Sequence, residues 1–388
     1  MSVTGPKGFS ASGVTAGLKP SGTPDLALVV NHGPHRAAAG VFTSNRVQAA
    51  PVQWSRQVLV DRSLQAVILN SGGANACTGP DGFADTHRTA ELAADALQAA
   101  GHDVGAIDVA VCSTGLIGVR LPMDMISASI PALVANLHTD GGHAAAEAIM
   151  TTDTVTKEAV SVGVGWSVGG MAKGAAMLAP GLATMLVVIT TDAVVDPTTL
   201  HDQLAAATAL SFDRVDSDGC MSTNDTVLLL SSGASGITPG AAELTDAVTA
   251  VCTDLALQLV ADAEGSSHTI TIEVVNAASE SDAVEVGKSI ARNNLFKCAV
   301  FGNDPNWGRV LSAVGTTAAV FEPDQLDVSF NGVQVCRAGG IGEPRELVDL
   351  SGREVSVVVD LHAGDRRVRI WTTDLTYDYV RENAEYST

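Results

Sequence analysis

The feature that most constrains this sequence is a run of eighteen residues without a charged side chain, at positions 174–191. Its second part, 185–189, contains only methionine, leucine, valine and isoleucine, and such a run is typical of a strand buried inside a sheet. Pro180 and Gly181 interrupt the run, so a membrane-spanning helix is not expected, because lipid cannot satisfy the backbone groups that they free. The sequence therefore predicts a turn that leads into a core strand, with Thr184 at the first position of that strand.

Composition and charge limit the class of protein. Of the 388 residues, 46% are hydrophobic and 17% are charged, which indicates a globular chain with two or three domain-sized units. The net charge of −21 repels phosphate backbones and anionic lipid, so we expect neither a nucleic-acid nor a membrane partner. Residues 1–19 lack the apolar core of a signal peptide, and the six cysteines form no CxxC pair. These features predict a cytoplasmic protein with reduced thiols.

Predicted strands and helices alternate along the chain, without an internal repeat. The strands are expected at 25–31, 66–69, 107–112, 185–189, 227–230, 268–275, 355–361 and 367–372. The helices are expected at 85–100, 144–149, 196–212, 244–259 and 281–295. Asp196 before Pro197 is the signature of an N-cap followed by proline at the first helical position. The predicted class is α/β or α+β, with layered sheets and flanking helices.

Four loops are rich in small polar residues, at 70–76, 113–118, 150–154 and 216–226. The first two have two interpretations, an ordinary turn or part of a ligand site. The third is a cap or a ligand site, and the fourth has so many small polar residues before a strand that it suggests a built site rather than a connector. In the second loop, peptide N–H groups lie just past a strand and beside a glycine, which suits the binding of an oxyanion, although a plain turn is the commoner structure. In the fourth loop calcium is not favoured, because the terminal glutamate of an EF-hand loop is missing.

Short catalytic motifs elsewhere in the sequence are weaker. Ser167 lies in a GxSxG match, but a serine hydrolase needs a helix after the serine, and Gly169 and Gly170 make that helix unfavourable. His32 and His35 have no cysteine or acidic cluster beside them that would complete a metal site. The sequence contains no GxGxxG or Walker loop and so supports neither a dinucleotide site nor an NTPase.

Thr184 offers a different chemistry. A threonine at a chain N-terminus has its own α-amine as a base, with a pKa of about 7.7–8.0 in reference peptides, and cleavage of the Ala183–Thr184 bond would create one. In that cleavage the Thr184 hydroxyl attacks the Ala183 carbonyl, and water hydrolyses the resulting ester. Gly181 and Ala183 are small enough for the strained bend that the attack requires. The alternative is a threonine at a strand end whose hydroxyl bonds a neighbouring peptide.

The residues around Thr184 resemble a known family. Residues 173–186, Lys-Gly-Ala-Ala-Met-Leu-Ala-Pro-Gly-Leu-Ala-Thr-Met-Leu, are similar to the self-cleavage segment of the ornithine acetyltransferases, also called glutamate N-acetyltransferases. The resemblance extends over nearly the whole chain, through blocks in the same order at 70–76, 112–118, 150–153, 166–192, 222–226, 262–265, 301–309 and 383–388. Several ordered blocks are far more specific than a single motif.

The resemblance implies a self-processing, ornithine-acetyltransferase-like (DmpA/ArgJ-like) fold. It implies cleavage into an α chain, 1–183, and a β chain, 184–388, which assemble as an α2β2 heterotetramer. The family transfers acetyl from N2-acetylornithine to glutamate in arginine biosynthesis, by a ping-pong mechanism through an acetyl-threonine enzyme, without a metal or cofactor. Some members also use acetyl-CoA as a co-substrate to make N-acetylglutamate, and nothing in this sequence decides that point.

The resemblance also implies roles for individual residues. Thr184 is the expected nucleophile, with its α-amine as the base, and Thr114 and Gly115 match the oxyanion-hole positions. The substrate-binding positions of the family match Thr151, Lys173, Thr184, Glu264, Asn383 and Thr388. These charges suit the substrate, because Lys173 can bind an α-carboxylate and Glu264 can bind a cationic side-chain amine.

The sequence departs from the family pattern at two places. Ala176 replaces a common glycine, and Ser-Ser-His at 266–268 replaces the more usual Ala-Thr-Lys beside Glu264. The second change puts the fine substrate preference in question.

Two other functions stay open. The first alternative is a related self-processing N-terminal-nucleophile aminopeptidase or amidase, in which water replaces glutamate as the acceptor. The second is a small-molecule binding protein that does not cleave itself.

Overall fold

The computed structural model describes residues 2–178 and 185–385, and in this part of the chain the strands form three sheets. The strands are β1 (Phe9–Val14), β2 (Leu26–Asn31), β3 (Ala37–Phe42), β4 (Ala66–Asn70), β5 (Val109–Ser113), β6 (Lys157–Val162), β7 (Ser167–Lys173), β8 (Leu186–Thr191), β9 (Thr226–Ser231), β10 (Thr269–Ala277), β11 (Asp327–Phe330), β12 (Val333–Arg337), β13 (Gly340–Ile341), β14 (Glu354–Asp360) and β15 (Arg366–Thr373). The α-helices are α1 (Ala50–Val58), α2 (Gly79–Ala99), α3 (Met123–Ala135), α4 (Gly142–Ala148), α5 (Pro197–Leu210), α6 (Ala241–Ala261), α7 (Glu280–Ala291), α8 (Asn294–Phe301), α9 (Trp307–Val314) and α10 (Tyr377–Glu385).

The central sheet has five strands in the order β3-β9-β8-β7-β6 and contains the strand predicted after Thr184. β8 pairs in parallel with β9 and antiparallel with β7, and Lys173 at the end of β7 lies opposite Leu186. All six residues of β8 are buried, as expected for an apolar run in the interior of a sheet. The chain therefore enters β8 beside Lys173.

Alternate side chains of β8 reach two separate cores. On one face, Val187 and Ile189 share a core with α5 and α6. On the other face, Leu186 and Val188 share a core with a four-stranded sheet of order β1-β2-β4-β5, against which α1 to α4 pack. The two sheets are thus stacked between helices, because each presents apolar side chains on both faces.

A third sheet has the order β13-β12-β11-β14-β10-β15 and a core of its own. Val274 and Ile370, on neighbouring strands of this sheet, lie in the same core as Val286 of α7. The sheet is joined to the rest of the fold at β15, where the Asp216 N–H donates to the Trp371 carbonyl at 2.9 Å. This junction brings the segment before α10 close to the central sheet.

The predicted α/β class, with layered sheets and flanking helices, is confirmed. All eight predicted strands are present, and Asp196 caps α5 by accepting from the N–H groups of Thr198 and Thr199. The single helix predicted at 281–295 is wrong, because α7 ends at Ala291 and the Asn293 side chain caps a new helix, α8. The sequence pattern does not predict β1, β3 and β7, since glycine, alanine and serine dominate them and carry little strand signal.

Among the described residues, α6 is the one helix that is long and apolar enough to cross a membrane by length and composition. Its apolar stripe, which includes Leu244, Val251 and Leu259, is buried in the core beneath the central sheet. The apolar residues of α6 therefore belong to the core of this fold.

The predicted α and β chains do not correspond to two separately folded domains. β6 and β7 precede position 183 and β8 and β9 follow it, yet all four lie in one sheet. β3, from the first part, is hydrogen-bonded to β9 from the second. A division at 183–184 is thus a division of the polypeptide and not of the folded core.

Candidate active site

The site predicted around Thr184 is organised by Lys173, the last residue of β7. Its side chain is buried, and its Nζ donates to the Thr114 hydroxyl at 3.2 Å. Leu186, its partner in the sheet, is two residues from Thr184 in the chain. Ala183, Thr184 and Thr388 lie outside the described residues. The structure therefore brings together Lys173, the predicted oxyanion loop and the point where the chain enters β8.

Thr114 and Gly115 follow β5 in a loop held tightly against residues 70–73. The Thr114 N–H donates to the Asn70 carbonyl at 3.0 Å, and the Gly73 N–H donates to the Thr114 carbonyl at 3.0 Å. Gly115 has a φ of +131°, and a Cβ at this position would stand 2.8 Å from the Gly73 nitrogen. Only glycine fits there. The Thr114 amide is occupied, whereas the Thr114 hydroxyl and the Gly115 N–H donate to no other described group and are the donors that this loop offers to the predicted oxyanion.

Asp153 connects the Thr151 loop to the end of β7. Its carboxylate accepts from the Thr151 N–H at 2.9 Å, from the Gly174 N–H at 2.6 Å and from the Lys157 ammonium at 2.6 Å. Burial raises the pKa of Asp153, but the charges of Lys173 and Lys157 and these hydrogen bonds outweigh burial and hold the pKa at about 2. Asp153 is therefore a permanent anion beside Lys173.

The charge state of Lys173 is set by opposing effects. Burial lowers the pKa of its ammonium, Asp153 and Glu264 raise it, and Lys157 lowers it. The net pKa lies below the ordinary value of 10.5. Thr114 is the one described side chain that Lys173 reaches with a hydrogen bond, so the ammonium retains donors for an anionic ligand.

Glu264 is placed by the loop that follows α6. Its N–H donates to the Ala175 carbonyl at 2.9 Å, and its carboxylate accepts from the Asn383 amide at 3.0 Å. Gly265, at a φ of +59°, packs against α10, where a Cβ would stand 2.2 Å from the Tyr379 nitrogen. The Glu264 loop thus adjoins both β7 and the C-terminal helix, which the sequence describes only as a polar tail.

A cavity of about 530 Å³ opens beside Glu264. Its walls include Thr152 and Thr154, from the loop of Thr151, and the rings of Phe301 and Tyr377, whose centroids are 5.4 Å apart. Lys173 and Thr114 are not among its lining residues. Glu264 therefore faces open space that a small polar molecule can occupy, while Lys173 is enclosed deeper in the fold.

Two further buried polar residues near the site are Asn224 and Asp225, whose roles the sequence does not specify. The Asn224 amide donates to the carbonyls of Ala74 at 2.6 Å and Ser113 at 2.8 Å, and so joins two of the polar loops. The Asp225 carboxylate accepts from the Met185 N–H at 3.2 Å, and burial raises its pKa well above the usual range. The density of polar residues at 216–226 was the signal that this loop is more than a connector.

The family departure at 266–268 has a structural explanation. His268 is buried, with Nδ1 at 2.7 Å from the Asp374 carboxylate and Nε2 at 3.0 Å from the Leu350 carbonyl. Both ring nitrogens are occupied, so the imidazole anchors the Glu264 loop to the end of β15 and does not face a substrate.

The GxSxG match at Ser167 has no hydrolase geometry. Ser167 begins β7 and its N–H donates to Asp192 at 2.7 Å, so the serine enters a strand where a nucleophile elbow requires a helix.

Comparisons with known proteins agree with the resemblance found in the sequence. The model of the ArgJ family matches residues 10–388. An arginine biosynthesis bifunctional protein ArgJ of Streptomyces coelicolor is 65% identical over 387 residues and covers 100% of both chains. One of Thermobifida fusca is 60% identical over 388 residues, with the same coverage. A solved ornithine acetyltransferase of Mycobacterium tuberculosis, complexed with ornithine, is 59% identical, covers 48% of this chain and 96% of its own, and has a TM-score of 0.45.

Proposed function

The chain belongs to the ArgJ family, and on that premise we propose that it is an acyltransferase of arginine biosynthesis that moves acetyl from N2-acetylornithine to glutamate. One observation carries the proposal: a buried lysine and the predicted oxyanion loop lie where the chain enters β8, and Glu264, hydrogen-bonded to Ala175, faces an adjoining cavity. A buried cation and a separate anion match a substrate that has a carboxylate at one end and an amine at the other.

Maturation comes first. We propose that the Thr184 hydroxyl attacks the Ala183 carbonyl, that the peptide nitrogen leaves as the α-amine of Thr184, and that water hydrolyses the ester. The products are an α chain, 1–183, and a β chain, 184–388. Their strands interleave in one sheet, so the two chains stay together, and an α2β2 heterotetramer is the assembly we propose.

Acetyl transfer then follows a ping-pong course. The α-amine of Thr184 removes the proton from its own hydroxyl, which attacks the acetyl carbonyl of N2-acetylornithine. The Thr114 hydroxyl and the Gly115 N–H stabilise the negative oxygen that develops, and ornithine leaves. Glutamate attacks the acetyl-threonine ester and restores the free enzyme. No metal or cofactor is needed for these steps, and acetyl-CoA as a second acetyl donor stays an open prediction.

Two charged side chains are proposed to bind the two ends of the substrate. We propose that Lys173 binds the α-carboxylate and that Glu264, held by Asn383, binds the side-chain amine of ornithine. Thr151 lies on the loop that Asp153 ties to Gly174 and is proposed to bind the substrate. Thr388, outside the described residues, is proposed to bind the substrate as the family resemblance implies. We propose small molecules as the partners, because the net charge of −21 argues against nucleic-acid and membrane partners. A cytoplasmic location is proposed from the six cysteines, which form no CxxC pair.

The first test is the intact mass of denatured protein beside a Thr184→Ala variant. We expect two fragments with Thr184 at a new N-terminus, and an uncut variant. Acetyl release from N2-acetylornithine is then measured with and without glutamate. Dependence on glutamate supports the transferase, whereas equal acetate release in both indicates the aminopeptidase or amidase alternative. An intact chain in both samples would refute the proposed nucleophile.

A further inference from the structure

Lys157, the first residue of β6, is fully buried beside the proposed site, yet no step of the proposed reaction uses it. Its Nζ lies 2.6 Å from the Asp153 carboxylate, 2.6 Å from the Asp262 carboxylate and 3.3 Å from the Val155 carbonyl. An ammonium has three N–H donors, and here all three are occupied. Lys157 therefore has no donor left for a substrate, so its function must lie in what it holds together.

The two carboxylates that Lys157 joins belong to the two ends of the substrate site. Asp153 accepts from the Gly174 N–H at 2.6 Å, directly after Lys173. Asp262 stands two residues before Glu264, and it also accepts from the Thr154 N–H at 3.0 Å. Lys157 is thus a bridge between the segment that carries the cation and the segment that carries the anion.

We infer that Lys157 is a positioning residue that sets the separation between Lys173 and Glu264, and thereby the length of diamino acid that the site accepts. The inference rests on the proposed function, in which those two residues bind the two ends of acetylornithine. The distance between the two binding groups determines which length of substrate can bind both of them at once. A misplacement of the bound substrate by about 1 Å reduces turnover by roughly 10²-fold.

A second tie makes this inference testable in a folded protein. The Glu264 N–H donates to the Ala175 carbonyl at 2.9 Å, and this backbone hydrogen bond does not involve Lys157. Loss of the lysine therefore leaves the two segments joined by this hydrogen bond and by those that Asp262 accepts from Thr154. We expect the spacing to loosen without separation of the segments.

The experiment compares wild type with Lys157→Met and Lys157→Arg. The substrates are N2-acetylornithine and its homologues with one methylene fewer, N2-acetyl-2,4-diaminobutyrate, and one more, N2-acetyllysine. In wild type one methylene is expected to cost roughly 10–200-fold in kcat/KM. In Lys157→Met we expect that preference to shrink to a few-fold, mainly through a higher KM for N2-acetylornithine. Lys157→Arg, with its wider guanidinium, is expected to shift the optimum length.

The matched control is His143→Ala. His143 pairs with Glu158, the next residue of β6, at 3.0 Å on the exposed side, so this variant perturbs the same strand without touching the bridge. It should keep the wild-type length preference. If Lys157→Met does not fold, Asp262→Asn is measured in its place, because it weakens the same bridge from the other end.

Two failures are distinguishable. If wild type does not transfer acetyl from N2-acetylornithine to glutamate, the proposed function is refuted, and the inference about Lys157, which rests on it, is refuted with it. If wild type transfers acetyl and the variants are less stable but keep the length preference, Lys157 only supports the fold and the inference is refuted.

Discussion

Replacement of Asp153 by asparagine tests the electrostatics of the site through the pH dependence of stability. The Asp153 pKa is about 2 in the fold, against 3.8 for an unperturbed aspartate. A lowered pKa stabilises the fold at a pH above the unfolded value, and the stabilisation is lost as the pH falls through the folded value. At 1.36 kcal/mol per pKa unit, the ionised form contributes about 2 kcal/mol to the free energy of unfolding near neutral pH, and roughly 1 kcal/mol of this is lost between pH 5 and pH 3.

The assay is urea unfolding of wild-type and Asp153→Asn chains in the Thr184→Ala background, which is expected to stay uncut and so avoids dissociation of fragments. The gap in unfolding free energy between the two proteins should narrow by about 1 kcal/mol from pH 5 to pH 3. Asp95→Asn, which removes a carboxylate from an exposed position of α2, is the control for the substitution itself. A constant gap for Asp153→Asn would refute the argument that Lys173 and Lys157 hold its pKa down.

Two further predictions concern the proposed substrate and oxyanion sites. Glu264→Gln should raise the KM for N2-acetylornithine by about tenfold or more, since a hydrogen bond to a charged amine is worth about 1.5–3 kcal/mol. The same variant should have an unchanged or lower KM for glutamate, because Glu264 repels the side-chain carboxylate of glutamate. Steady-state kinetics with each substrate varied in turn would measure both KM values. Gly115→Ala should slow both self-cleavage and transfer, because the new Cβ would stand 2.8 Å from the Gly73 nitrogen. Cleavage is measured by the intact mass of the denatured protein over time. A normal rate of cleavage in the Gly115→Ala variant would contradict the proposed role of this loop.

The sequence predicts the site best where a local pattern has a direct structural consequence. The apolar run after Thr184 gives β8, the Asp196-Pro197 pair gives the start of α5, and the family resemblance is confirmed. The roles of Asp225 and Lys157 are not predictable in this way, because their partners lie 40 and 105 residues away in the chain. The role of a buried charged side chain can be assigned only when the group of opposite charge or the hydrogen-bond partner beside it in the fold is known.

The departure at 266–268 shows a different limit of sequence reasoning. A histidine in place of a lysine beside Glu264 suggests altered substrate contacts. In the fold, however, Asp374 and Leu350 occupy both ring nitrogens of His268. Whether a polar side chain faces the ligand or the protein depends on which strand end it meets, and a single sequence carries no signal for that. The C-terminal segment is a similar case, since its polar composition does not predict that α10 packs on Gly265.

The interleaving of β7, β8 and β9 has a consequence for how this protein can be produced and assayed. Residues 1–183 made alone would expose the open edge of β7, and residues 184–388 made alone would expose β8 and β9 without the partners on either side. Unpaired strand edges of that kind promote aggregation, so the two halves should be soluble only when they are synthesised together. The same hydrogen bonds would keep a cut molecule indistinguishable from an uncut one in gel filtration. Native mass alone therefore cannot report maturation, and denaturation must precede every measurement of it.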